Sequence, residues 1–185
     1  YTSSGLAAAD QVTDTPTTNF CTLNPVGAFD VTLSNGNLNI AGFSPAVGHN
    51  EAVAGTQFPT SGKWYWECEA NGIGSTYPGI GIVPDISVWK LASAANHAGR
   101  NILQSIAWNS SGPVEECTAL PSTYATLATY STYANGDIIG VALDLDNGTL
   151  FFAKNNTWEN SSDPAAGTSP VKTGLLSNGF SAIAG

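Results

Sequence analysis

The 185-residue sequence contains no methionine, five basic residues against fourteen acidic ones, and charged residues at only 10% of the chain. Lys63, Lys90, Arg100, Lys154 and Lys172 are never adjacent, and the formal charge is −9. Nucleic-acid binding draws on clustered cations that displace phosphate counterions, so this pattern argues against a nucleic-acid partner. No apolar run approaches the ~20 residues of a membrane-spanning helix. No charged segment followed by a short apolar one marks a secretory leader, and no membrane partner is expected. Cys21, Cys68 and Cys117 form no close-spaced pair, which fits neither a disulfide framework nor a zinc site. Three reduced, mostly buried thiols are expected instead. No cofactor and no metal are expected.

What is present is sheet-forming sequence, organised around residues 136–158, GDIIGVALDLDNGTLFFAKNNTW. Asn147-Gly148 is a strong hairpin signal, because both residues tolerate the positive φ of a tight type I′ turn. A two-residue loop there pairs Asp146 with Thr149, Leu145 with Leu150, Asp144 with Phe151 and Leu143 with Phe152. One face then carries Ile139, Val141, Leu143, Leu145, Leu150 and Phe152. The other carries Asp144, Asp146 and Thr149 toward solvent, with Phe151 as its one large apolar member. Such a half-buried sheet needs a second layer over its apolar face.

The rest of the chain reads as further strands. Residues 1–18, rich in Ser, Thr and Ala, are expected to be an extended connector to something upstream, and the start at Tyr1 suggests a piece of a longer protein. Phe29, Val31 and Leu33, the turn Asn35-Gly36, then Leu38 and Ile40 make a first hairpin. Residues 43–61 read as a loop. From Lys63, Trp64, Trp66, Cys68 and Ala70 share one face, predicted to be core, opposite Lys63, Tyr65, Glu67 and Glu69. Residues 79–83 are its predicted partner strand, with Gly79 and Gly81 leaving room beside the large rings. Residues 85–101 read as a helical turn or ordered loop, 104–108 as a strand, 115–135 as a loop plus one strand, and 179–184 as the start of a last strand. The sum is an all-β chain, an antiparallel two-sheet β-sandwich with jelly-roll character, over residues 19–185.

Gly62-Lys63-Trp64-Tyr65-Trp66-Glu67, then Gly79-Ile80-Gly81-Ile82-Val83, then Ala107-Trp108-Asn109, then GDIIGVALDLDNGTLFFAKN together resemble a SPRY domain. The resemblance implies a concanavalin-like bent β-sandwich with variable loops at one end, and binding in place of catalysis. Residues 14–25, DTPTTNFCTLNP, look like the lead-in before SPRY-like domains in bacteriophage tail fibres and other virion surface proteins. That implies a location on the particle surface, with a host cell-surface protein or glycan, or neighbouring virion subunits, as partner. A homo-oligomer follows, trimeric if the chain belongs to a fibre.

Among chemical sites, the Asp144-x-Asp146-Asn147-Gly148 string is one position short of a calcium loop and lacks its closing Glu. Glu67 and Glu69 lie on one strand face at a spacing compatible with glycoside hydrolysis, but no accompanying cleft motif supports it. His49 and His97 have no nucleophile elbow or Cys-His context. No catalytic residue is assigned. The expected activity is a non-enzymatic binding module using loops on a rigid scaffold. The alternatives are a structural capsid-decoration or fibre-spacer protein, and a polysaccharide-active enzyme. Trp89, His97, Arg100, Tyr124, Tyr130, His49 and Glu51 are the candidate binding residues, because Trp, Tyr and Arg dominate binding hot spots.

Overall fold

The computed structural model describes residues 20–26, 31–43, 52–73, 78–84, 102–120, 122–175 and 180–184. The connector at residues 1–18 and the segment 85–101 lie outside these. Alternating apolar and polar residues between Gly- and Asn-rich turns place nearly all described structure in strands. They are β1 (Val31–Ser34), β2 (Asn39–Phe43), β3 (Val53–Ala54), β4 (Lys63–Glu69), β5 (Gly79–Pro84), β6 (Ile106–Asn109), β7 (Pro113–Ala119), β8 (Thr123–Thr129), β9 (Ile138–Asp144), β10 (Thr149–Lys154), β11 (Thr157–Trp158) and β12 (Phe180–Ala184). A six-stranded sheet runs β3-β12-β5-β6-β7-β8, a four-stranded sheet runs β11-β10-β9-β4, and β1 pairs with β2 alone. Every pairing is antiparallel. The all-β, two-sheet sandwich expected from the sequence is the architecture observed.

The core lies between the sheets. Ile139, Val141, Leu143, Leu145, Leu150 and Phe152 all enter it, opposite Ile80, Ile82, Ile106, Trp108 and Val114. Trp108 is fully buried and packs edge-to-face on Tyr130 (5.4 Å), Tyr133 (5.4 Å) and Phe152 (6.0 Å). A smaller apolar layer of Ala52, Ala54, Val83, Ile102, Ala107 and Ile183 backs the other face of the six-stranded sheet.

The organising hairpin turns differently from the two-residue expectation. Thr149 pairs with Asp144, Leu150 with Leu143 and Phe152 with Val141, which leaves a four-residue loop. The cause is Asp144. Its Oδ1 accepts the backbone N–H groups of Asp146 and Asn147, and its Oδ2 accepts the Asn147 amide at 2.8 Å, so the side chain closes the turn. Only Gly148 of the Asn147-Gly148 pair takes a positive φ, 65°. The slip is two residues, so each side chain keeps its predicted face. The opposite face is not solvated at this end, however: Asp144, Thr149 and Phe151 are all buried, and Pro164, Ala165, Ala166 and Gly167 form a small pocket with Asp144 and Thr149.

Three other expectations change. β5 does not pair with β4; it sits in the opposite sheet between β12 and β6, while β4 pairs with β9. Gly81 makes room for the backbone of β6 and not for indole rings. Residues 115–135 contribute two strands, since β7 and β8 form a hairpin interrupted by two register shifts that blur its alternation. The 43–61 loop contains β3, too short to announce itself.

Tyr133, in the connection from β8 to β9, is tied to the six-stranded sheet where β5 begins. Its hydroxyl donates to the carbonyl of Pro78 at 2.6 Å and lies 2.9 Å from that of Trp108. Burial pushes its pKa well above the ordinary tyrosine value, with the Cys68 thiol adding to the shift. Tyr133→Phe removes the hydroxyl that donates to the Pro78 carbonyl and lies against that of Trp108, and the expected loss is ~1–2 kcal/mol. A chemical-denaturation midpoint lowered with an unchanged slope would match that loss.

Candidate functional site

β4 carries Trp-Tyr-Trp in succession, so aromatic rings project from both of its faces and one layer cannot bury them all. The sequence reading placed Trp64 and Trp66 in the core. Trp66 does pack against it, with Cys68 and Ala70, but Trp64 is 40% exposed. The reason is position: among the described residues β4 has a single neighbour, β9, and so forms the sheet's edge. On its outer face Tyr65, 53% exposed, leans over Gly140, meets Trp158 edge-on at 6.2 Å and donates its hydroxyl to Glu67 at 2.6 Å. Burial, reinforced by Glu67, pushes the Tyr65 phenol up to about 12.

Along this edge runs a groove of about 660 Å³. Trp64, Tyr65, Trp66, Glu67, Cys68 and Glu69 all line it, from both faces of the strand, so the groove follows the strand edge. Leu38, Asn39 and Ile40 of the β1–β2 hairpin form the opposite wall, Phe20 and Cys21 flank it, and Ile80, Tyr133, Phe180 and Ala182 contribute from the sandwich interior. Cys21 is exposed, contrary to the expectation of mostly buried thiols, whereas Cys117 is buried and all three cysteines are free. Cys68 is pushed up to about 11 by burial, then by the nearby Cys21, which favours the protonated thiol at neutral pH.

The charged groups are distributed unevenly. Lys63 pairs with Asp144 at 3.2 Å, Lys154 with Asp137 at 3.5 Å and Lys172 with Glu116 at 2.6 Å, so each described cation is already engaged with a carboxylate. In the calcium-like string the Lys63 ammonium sits on Asp144 while Asp146 accepts the Gly62 N–H, so the two carboxylates serve different partners. No cluster of three metal-ligating side chains occurs among the described residues.

Burial tends to raise the Asp144 pKa, but hydrogen bonds from Asn147 and the Lys63 ammonium hold it below the usual carboxylate value. The Ala134 N–H, the Asn155 amide and Lys154 hold Asp137 low as well. A depressed folded-state pKa contributes stability above the unfolded value, and that contribution is lost as pH falls through the folded one. The melting temperature is therefore expected to fall below about pH 4. Asp144→Asn should show a shallower fall than wild type in melts run from pH 7 to pH 3.

Of the sequence-predicted binding residues, Trp89, His97, Arg100, His49 and Glu51 lie outside the described residues. Tyr124 is on β8 and 44% exposed. Tyr130 is half-buried and packs edge-to-face against Trp108, and burial followed by the Glu159 charge pushes its pKa up to about 12. The groove along β4 was missed, although the unbroken aromatic triplet was its signal.

Residues 63–162 match the family model described as SPRY domain, more than half of the chain. The chain belongs to the SPRY family. SPRY domains mediate protein–protein interactions and are generally non-catalytic. The SPRY domain of human HERC1 aligns with a TM-score of 0.58 at 16% identity, covering 88% of this chain and 87% of that one. The PSpry domain of TRIM65 gives 0.51 at 16% identity, covering 89% and 83%. Stonustoxin gives 0.55 at 21% identity over 89% of this chain but 25% of its own. At these identities the likeness is one of fold. No curated protein sequence matches the chain significantly.

Proposed function

We propose that this SPRY domain is a non-enzymatic binding module on the outside of a bacteriophage particle, in a tail fibre, spike or other receptor-binding appendage, where it recognises a host-surface protein or glycan. One observation carries the binding role. Phe20, Leu38, Trp64 and Tyr65, half of the eight exposed large apolar side chains among the described residues, gather on one groove, and such clustering marks an interaction surface. The location on the virion is supported by the resemblance of residues 14–25 to phage lead-in segments. In this reading residues 1–18 connect the domain to the particle and residues 19–185 form the binding unit, with Trp89 the leading loop residue for recognition. The test is adsorption of the purified, labelled chain to a panel of bacterial cells and to a glycan array. Saturable binding to cells or glycans supports the reading. Binding to virion subunits alone would make the chain a structural spacer, and release of reducing ends from a bound polysaccharide would make it an enzyme.

A further inference from the structure

The four-stranded sheet and the β1–β2 hairpin are separated by one groove, with β4 along one side and β2 along the other. We infer that this groove accepts an extended segment of a partner protein as an added β-strand, in which apolar residues alternate with lysine or arginine. The inference rests on the reading of the chain as a binding module, and it names the partner's chemistry.

The backbone of β4 is turned the right way for this. Gly62 accepts a hydrogen bond from Leu145, and Ala70 both donates to Asp137 and accepts from Gly136, all on the β9 side. In an antiparallel ladder backbone groups alternate in direction with a period of two. The N–H and C=O groups of Lys63, Tyr65, Glu67 and Glu69 therefore point away from β9, toward the groove. An added strand can pair with them along a β4 edge of seven residues, roughly 20 Å long.

The side-chain pattern follows from the two faces. Inward residues of the added strand meet Trp66 and Cys68 across the strands and Ile80, Tyr133 and Phe180 from the core, which selects apolar groups. Outward residues stand beside Glu67 and Glu69, both exposed groove-lining carboxylates. The three described lysines pair with Asp144, Asp137 and Glu116 instead. Opposite charges directly across a ladder stabilise a strand pair and like charges oppose it, so the outward residues are cationic. Trp64 and Tyr65 close one end of the groove as aromatic anchors.

The test uses the full chain and three synthetic peptides: Val-Lys-Val-Lys-Val-Lys-Val, its glutamate counterpart, and the lysine peptide with a central proline. Fluorescence anisotropy should show the lysine peptide binding at least tenfold more tightly than either control. Hydrogen exchange should show new protection at the Tyr65, Glu67 and Glu69 amides. The double substitution E67K/E69K, made at exposed positions, should keep the melting temperature and reverse the preference between the lysine and glutamate peptides. Equal binding of the three peptides, protection elsewhere, or self-association of the chain in place of peptide capture would overturn the inference. Host-cell adsorption that persists while the lysine peptide fails to bind would remove the added strand and leave the proposed function standing. Peptide capture without adsorption to any cell would do the reverse.

Discussion

Gly81→Ala is expected to prevent the domain from folding. A β-carbon at Gly81 would point into the neighbouring strand, clashing with the carbonyl oxygen of Ile106 and lying 2.8 Å from the Cα of Ala107 and 2.9 Å from the carbonyl carbon of Ile106. All three are backbone atoms of the strand paired with β5, so no side-chain rotation relieves the overlap. β5 and β6 would have to separate in the middle of the six-stranded sheet, at the layer that carries Ile80, Ile82, Ile106 and Trp108 into the core. The loss should exceed ~4 kcal/mol, the range in which single substitutions threaten a domain's whole stability. Gly140→Ala is the informative control, because its β-carbon would meet the half-exposed Tyr65 hydroxyl at 2.8 Å, a group able to swing outward. Circular dichroism should show a folded, moderately destabilised Gly140→Ala chain and no cooperative transition for Gly81→Ala. A Gly81→Ala protein melting within a few degrees of wild type would mean that β5 and β6 are not adjacent.

The contrast between these two glycines shows where the sequence was legible. A period of two named all six inward residues of the β9–β10 hairpin, because a buried face leaves its mark on every second position. It could not fix the turn, since the choice between two and four loop residues depends on the Asp144 side chain binding back onto the loop. Nor could it say which strands are neighbours: β4 and β5 are adjacent in sequence and lie in different sheets, and a glycine that spares a tryptophan reads the same as one that spares a backbone. The groove along β4 was the least legible part. Loop aromatics attracted attention, while Trp64 passed as core because alternation tells a face from its opposite but not an edge strand from a central one.

The second large effect is expected at Trp108. The side chain is fully buried and touches the rings of Tyr130, Tyr133 and Phe152, which come from the connection between β8 and β9 and from β10. Trp108→Ala leaves a cavity where three elements meet, at a cost of ~3–5 kcal/mol. At about 2–4 °C per kcal/mol for a domain of this size, the melting temperature should drop by roughly 10 °C. The indole Nε1 has no hydrogen-bond partner among the described residues, so the residue contributes through area and ring geometry and not through its polar atom. Trp108→Phe keeps an aromatic ring in the same slot and removes an unsatisfied donor, which offsets part of the lost area. Its destabilisation should therefore be less than half that of Trp108→Ala. Denaturant unfolding of both variants decides the point: equal losses would mean that Nε1 makes a hydrogen bond worth as much as the packing, and that Trp108 is held by its polar edge.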